Sequence, residues 1–303
     1  MNTIPSAQPA AMSRFAIWWA AVRPKTLWAA LAPVLMGTAM AFEAGVFHPV
    51  SAVLALVGAI CIQIGTNLYN DYADFLKGAD TEARKGPVRV TQAGLVRPEA
   101  IRLAAYLTFV FAVVAGGYLM WRGGLPVVII GVASVVSGIL YTAGRYSLAY
   151  LGLGDLFVLI FFGPVAVGGT YYVQALAIDP LVLQAGLAPG LLAVAILLVN
   201  NVRDVEEDRL AAKRTLVVRL GRRFGVGLYG VCLVAAALIP IWLAVATGGH
   251  WPVLLCSAVA LAGLPMVGRL GRERAPAILN PMLGATARLL LLYSIVFAVG
   301  WNV

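Results

Sequence analysis

Nine long apolar runs separated by polar connections organise this chain: residues 26–42, 50–69, 101–121, 124–143, 151–173, 185–202, 224–247, 251–268 and 283–301. Each is close to the roughly 20 apolar residues that a helix needs to cross a bilayer. The runs are continuously apolar rather than alternating, which excludes a transmembrane β-barrel. The pattern predicts an all-α, polytopic bundle of nine membrane helices, one domain over residues 1–303. Met1 to Met12 is small and polar and lacks the basic start, short apolar core and cleavage site of a signal peptide. Residues 1–14 are expected to form a flexible tail, and the first apolar run an uncleaved anchor.

Composition agrees with this picture. The chain is 61% hydrophobic and 12% charged, with mean hydropathy +0.91, whereas soluble domains are about 25% charged. The net charge of +9 is not a nucleic-acid signal, because the basic residues alternate between connections. Arg14, Arg23 and Lys25 precede the first run. Lys77, Arg84, Lys85, Arg89, Arg97 and Arg102 fill the second-to-third connection, and Arg145 follows the fourth run. Arg203, Arg209, Lys213, Arg214, Arg219, Arg222 and Arg223 fill the sixth-to-seventh, and Arg269, Arg272 and Arg274 follow the eighth. The opposite connections hold only Arg122, and Arg288 lies within the ninth run. This is positive-inside bias: the N-terminus and both long connections are expected on the cytoplasmic side of a cell (inner) membrane. Cys61, Cys232 and Cys256 lie in apolar runs with no metal-ligand spacing, and His48 and His250 are far apart. Neither a disulfide nor a histidine metal site is expected.

Two connections, 70–100 and 201–223, are long and charged, and nine of the 13 Asp and Glu fall in them. Long loops in a compact bundle are usually functional, so both are read as cytoplasmic active-site loops. The first stretch holds Asn67, Asn70, Asp71 and Asp74, followed by Asp80 and Glu82. If the second helix continues through Asp74, the first four residues stand three and four apart and share a face. In the second, Asp204 and Asp208 are four apart. Carboxylates stacked at a helix end need a counter-ion, and hard oxygen ligands suit Mg²⁺, which is held by one or two carboxylates plus substrate phosphates. Two such faces would hold two ions around one diphosphate. Arg84, Lys85 and Arg89 follow the first cluster, and Arg209, Lys213 and Arg214 the second; such residues bind phosphate oxygens, although topology alone also accounts for their side of the membrane.

These residues resemble the UbiA superfamily of intramembrane prenyltransferases, a nine-helix family with aspartate-rich motifs ending its second and sixth helices. Asn70 and Asp74 fit the first motif, whose last Asp stands two residues late as Asp80; Asp204 and Asp208 fit the second. Tyr141 with Arg145 matches a third motif in which Arg replaces Lys. The stretch from Asn70 to Asp80, Gly86-Pro87-Val88-Arg89, Gln92-Ala93-Gly94, Gly152-Leu153-Gly154-Asp155, Lys213-Arg214-Thr215-Leu216 and the opening Arg23-Pro24-Lys25-Thr26 resemble the branch that prenylates 1,4-dihydroxy-2-naphthoate. Tyr146-Ser147, where that branch carries Pro, departs from it.

The resemblance implies Mg²⁺-dependent transfer from a polyprenyl diphosphate to this aromatic acid, with loss of carbon dioxide and diphosphate, giving a demethylmenaquinone precursor. It implies Asp74, Asp80, Asp204 and Asp208 as metal carboxylates, assisted by Asn67, Asn70 and Asp71. Arg84, Lys85, Arg89, Arg145 and Lys213 then contact diphosphate. Tyr141 is a donor to diphosphate or an interface aromatic. Arg23 holds the aromatic acid or anchors topology, and Asp155 is functional or complements a helix dipole. Two readings compete: another acceptor, such as 4-hydroxybenzoate, homogentisate or a porphyrin, and a secondary transporter of an anionic metabolite. Transporter sites lie at mid-bilayer on broken helices, whereas these acids end helices on one side.

Overall fold

The computed structural model describes residues 12–78, 86, 89–144 and 147–303. All the regular structure among them is helical. Eight helical segments are long and apolar enough to cross a membrane: Pro24–Glu43, Pro49–Leu76, Pro98–Gly123, Gly154–Ala175, Pro180–Arg203, Arg222–Thr247, Trp251–Arg272 and Pro276–Trp301. The run expected as a ninth span forms the shorter helix Leu125–Leu140, 16 residues long, which falls short of the roughly 20 residues of a full crossing. In chain order the helices are α1 (Arg14–Val22), α2 (Pro24–Glu43), α3 (Pro49–Leu76), α4 (Pro98–Gly123), α5 (Leu125–Leu140), α6 (Leu148–Leu151), α7 (Gly154–Phe161), α8 (Pro164–Ala175), α9 (Pro180–Ala185), α10 (Leu187–Arg203), α11 (Val205–Leu210), α12 (Leu216–Leu220), α13 (Arg222–Thr247), α14 (Leu255–Leu261), α15 (Leu264–Arg272) and α16 (Pro276–Trp301), with a 3₁₀ turn at Trp251–Leu254.

Two expectations about connections need correction. The tail was expected to extend to residue 14, but α1 begins there, capped by the Ser13 hydroxyl, which accepts from the Ala16 amide at 3.2 Å. Ile17, Ala20 and Ala21 pack inward against Leu68, Ile101 and Ala105. Phe15 and Trp19 stay exposed and stack at 5.9 Å, the pattern of a helix lying in the membrane interface. The two charged connections are also partly helical: α3 continues to Leu76, and α11 and α12 lie within 201–223.

The main core gathers around α10, with α2, α13 and α16 against it. Three spans break at Gly or Pro: between α7 and α8 at Gly163-Pro164, between α9 and α10 at Gly186, and between α14 and α15 at Gly263. Such breaks are tolerated in membrane helices where neighbouring groups satisfy the freed backbone. The first two meet. A Cβ on Gly190 would lie 2.5 Å from the Leu159 carbonyl oxygen and 3.0 Å from Gly163 Cα. This backbone approach seats α7, which starts near the second acidic stretch, against α10, which carries it. Gly190→Ala is expected to destabilise the protein by about 1–3 kcal/mol, read as a fall in the Tm of the purified protein; an unchanged Tm would show that the contact opens freely.

Lone Arg122 has a local role. Its Nε and Nη2 donate to the Val173 and Gln174 carbonyls at 3.1 and 3.2 Å, neutralising the C-terminal end of α8.

Candidate active site

Because α3 stays helical through Leu76, its polar residues stand on successive turns and divide into two directions. Asn67 and Asn70 line a large cavity, whereas Asp71 and Asp74 are buried outside it. The Asn67 amide donates to the Val22 carbonyl and Thr26 Oγ1, both at 2.9 Å. It therefore locks α3 onto the joint between α1 and α2. That joint is Arg23, held in the left-handed region at φ 57° and followed by Pro24 at the first helical position, where its fixed φ suits a helix start. Asn70 Oδ1 accepts from Thr142 Oγ1 at 2.5 Å, and Asp71 Oδ2 accepts from the Val90 amide at 3.2 Å. Asp71 thus anchors the returning loop.

Asp74 is the centre of the charge network. Its Oδ2 pairs with Arg89 Nη2 at 2.9 Å, and its Oδ1 faces Lys213 Nζ at 3.3 Å. The same ammonium lies 4.0 Å from Asp208 Oδ1. One lysine therefore joins the two acidic stretches. The second stretch departs from the straight face that its spacing suggests. Asp204 breaks the helix between α10 and α11 at φ −96°, ψ 10°, although the Asp208 amide still donates to its carbonyl at 2.8 Å. Arg203 clasps the Asp204 carboxylate with Nε and Nη2, each at 2.6 Å, and donates to Asn280 Oδ1 at 2.8 Å.

Tyr141 caps α5 beside this network, its hydroxyl 3.2 Å from the position a Cβ would take on Gly154. Burial raises its pKa, and the negative charges of Asp155, Asp208 and Asp74 raise it further, so the phenol stays a hydrogen-bond donor. Asp155 is buried, and its Oδ1 has no hydrogen-bond partner among the described residues.

Two residues absent from the sequence-based set belong here. Lys77 Nζ donates to the Thr142 carbonyl at 2.5 Å and lies 3.9 Å from the centre of the Tyr150 ring; Lys213 approaches the same ring at 5.5 Å. Burial lowers the Lys77 pKa, opposed by Asp74 and reinforced by Lys213. Its signal was its place three residues after Asp74. Asn200 lines the cavity one turn before Asp204. Its signal was the Asn200, Asp204, Asp208 spacing, which repeats that of Asn70 and Asp74.

The cavity measures about 560 Å³. Its walls are mainly apolar side chains of α2, α3, α4, α5, α7, α8 and α10, and Arg23, Gln63, Asn67, Asn70, Tyr141 and Asn200 supply polar groups. The carboxylates follow one turn beyond Asn70 and Asn200. A long apolar molecule with a charged head fits this division.

Among the described residues no three His, Cys, Asp or Glu side chains form a ready metal cluster. The donor chemistry nevertheless fits a hard cation: Asp74 and Asp208 are oxygen donors that already share one positive charge, and Asp74 Oδ1 is buried without a hydrogen-bond partner. Asp80, Arg84, Lys85 and Arg145 lie outside the described residues.

Residues 30–300 match the UbiA prenyltransferase family. The chain belongs to that family. It is a multi-pass membrane prenyltransferase, which removes the transporter reading. It is 37% identical to the 1,4-dihydroxy-2-naphthoate octaprenyltransferase of Escherichia coli K12, over 95% of this chain and 96% of that one. It is 38% identical to the protein of the same name in Mycobacterium tuberculosis, over 88% and 92% of the two chains. A UbiA homologue from Archaeoglobus fulgidus bound to DMAPP and Mg²⁺ shares the fold, with TM-score 0.63 at 14% identity, covering 93% of this chain and 99% of that one.

Proposed function

We propose that this protein transfers a polyprenyl group from its diphosphate to 1,4-dihydroxy-2-naphthoate, releasing carbon dioxide and diphosphate and giving demethylmenaquinol. The observation that carries this reading is the pair of carboxylates from two distant helices sharing one ammonium beside an apolar cavity. The names of the relatives favour the acceptor. The proposed setting is the inner membrane, with the acidic end facing the cytoplasm.

The chain's own groups divide the work. The apolar cavity takes the prenyl tail and excludes water, so that an allylic cation meets the aromatic ring rather than hydroxide. The allylic carbon–oxygen bond breaks and the diphosphate leaves with its electron pair. A ring carbon–carbon bond forms, and the acceptor's carboxylate departs as carbon dioxide, leaving to the ring the electron pair of the bond that held it. Lys213, with Arg84, Lys85 and Arg145, supplies fixed positive charge where the leaving diphosphate becomes more negative. Tyr141 donates a hydrogen bond to it. Asp74, Asp80, Asp204 and Asp208 would hold Mg²⁺, which when bound supplies Lewis-acid stabilisation of the diphosphate. Arg89 is the buried counter-charge that orients Asp74. Asn67 fixes the joint that presents Arg23, proposed to hold the acceptor's carboxylate.

Detergent-purified protein, with no sealed compartment, is expected to form prenylated product when given Mg²⁺ and an allylic diphosphate. EDTA is expected to abolish it; transfer insensitive to EDTA would refute the metal assignment. Lys213 sets a second test. It neutralises the carboxylates before a metal arrives, so Lys213→Met is expected to tighten Mn²⁺ binding about tenfold without donor, a difference of about 1.4 kcal/mol, while lowering turnover. Manganese electron paramagnetic resonance titration reads the affinity, and weaker Mn²⁺ binding in the variant would contradict the shared-charge role.

A further inference from the structure

A second pocket, of about 150 Å³, lies outside the cavity and is walled by Arg203, Val205, Glu206, Arg209, Arg222 and Arg274. It is large enough for several water molecules. Four guanidinium groups face one carboxylate. Two of the four charges are matched: Arg203 by Asp204 at 2.6 Å, and Arg209 by Glu206 at 3.0 Å. Arg222 is occupied with backbone. Its Nη1 donates to Val202 at 2.9 Å and its Nη2 to Leu270 at 2.7 Å and to the Glu273 carbonyl. These carbonyls lie at the C-terminal ends of α10 and α15, where the helix dipoles leave only partial negative charge. Arg222 Nε is buried with no hydrogen-bond partner. Arg274 has no hydrogen bond or ion pair among the described residues and acts on Arg222 as a like charge. The recess therefore holds more positive charge than its walls neutralise.

Its position narrows the ligand. Arg222 begins the membrane-spanning α13, and α15 ends at Arg272, two residues before Arg274. The pocket thus sits where two spanning segments meet the membrane boundary, at the end of the bundle that carries the acidic site. Planar guanidinium forks match phosphate oxygens two at a time.

We infer that this arginine pocket binds a phosphate-bearing anion, separately from the prenyl diphosphate site. The phosphate belongs to an anionic lipid headgroup or to free phosphate. Positive residues at a membrane boundary attract anionic headgroups, and the pocket adds a recess to that attraction.

The test uses the full-length, detergent-purified protein in EDTA, so that metal-assisted diphosphate binding does not contribute. Inorganic phosphate, dioctanoyl phosphatidylglycerol and dioctanoyl phosphatidylcholine are titrated by calorimetry and native mass spectrometry. Saturable binding of phosphatidylglycerol in preference to phosphatidylcholine, without phosphate binding, would identify a lipid headgroup site; binding of phosphate itself would identify a free-anion site. In either case the Arg209→Ala/Arg274→Ala double variant is expected to bind at least tenfold more weakly. Arg274 is outside the catalytic network, so in Arg274→Glu the Mg²⁺-dependent turnover in neutral detergent is expected to be unchanged. Absence of phosphate binding together with equal retention of the two lipids would overturn the inference. Binding undiminished in the double variant and in Arg274→Glu would overturn it as well.

Discussion

Asp208→Asn is expected to lower Mg²⁺-dependent prenyl transfer by about 10³-fold or more while leaving a folded membrane protein. The substitution keeps the side chain's shape and a carbonyl oxygen but removes its charge. A divalent cation polarising a leaving diphosphate is worth several kcal/mol of transition-state stabilisation, and each 1.36 kcal/mol is tenfold in rate, so losing about 4 kcal/mol gives this factor. The fold is expected to tolerate the change because Asp208 is only partly buried and Lys213 keeps Asp74 at 3.3 Å. Asp74→Asn is expected to be as severe, since Asp74 and Asp208 share one ammonium and act as a unit. The double variant is expected to lose little more than either single one, because groups acting together are strongly non-additive. Initial rates at saturating substrates measure this. Turnover within tenfold of the wild type in both single variants would remove these carboxylates from the metal site.

Arg89→Met is expected to show the second large effect, on stability as well as rate. Arg89 is buried at 5% exposure and its Nη2 lies 2.9 Å from Asp74 Oδ2. Methionine fills much of the volume but supplies no donor or charge. Removing one partner of a buried ion pair leaves the other uncompensated, which costs about 3–5 kcal/mol. The expected cost is about 3 kcal/mol, at the low end of that range, because Lys213 still faces Asp74. A fall of several degrees in the Tm of purified protein reads the stability. The Arg89→Met/Asp74→Asn double variant is expected to recover part of the loss, because the stranded charge is gone. An unchanged Tm in Arg89→Met would show that Asp74 does not depend on Arg89.

The features legible in the sequence are those with a period or a composition behind them. Continuous apolar runs located the eight membrane-length segments and the shorter α5, and the three- and four-residue spacing of Asn67, Asn70, Asp71 and Asp74 is the spacing of residues on one helix, as α3 carries them. Alternating basic connections marked one end of the bundle as special. Features set by tertiary contact were not legible. Asp71 meets the Val90 amide, and no side-chain pattern announces a backbone partner 19 residues away. Asp204 is clasped by its immediate neighbour Arg203, a pairing that regular helix geometry disfavours and that the break between α10 and α11 permits. The length of α5 and the separate helix α1 were obscured for opposite reasons. The fourth apolar run extends past the end of α5 to residue 143, while α1 is a short amphipathic segment joined through Arg23-Pro24 to a much stronger apolar signal. Asn200 and Lys77 carried a signal in their spacing from Asp204 and Asp74, but its meaning depended on a cavity that only the fold reveals.

An acceptor competition with detergent-purified protein, Mg²⁺ and a short allylic diphosphate decides which aromatic acid this protein prenylates. 1,4-Dihydroxy-2-naphthoate, 4-hydroxybenzoate and homogentisate are supplied together, and mass spectrometry reads the products. A prenylated, decarboxylated naphthoquinol is expected as the dominant product, absent in EDTA. A dominant prenylated hydroxybenzoate or homogentisate product, or no naphthoquinol at all from protein that binds the diphosphate, would contradict the proposed function.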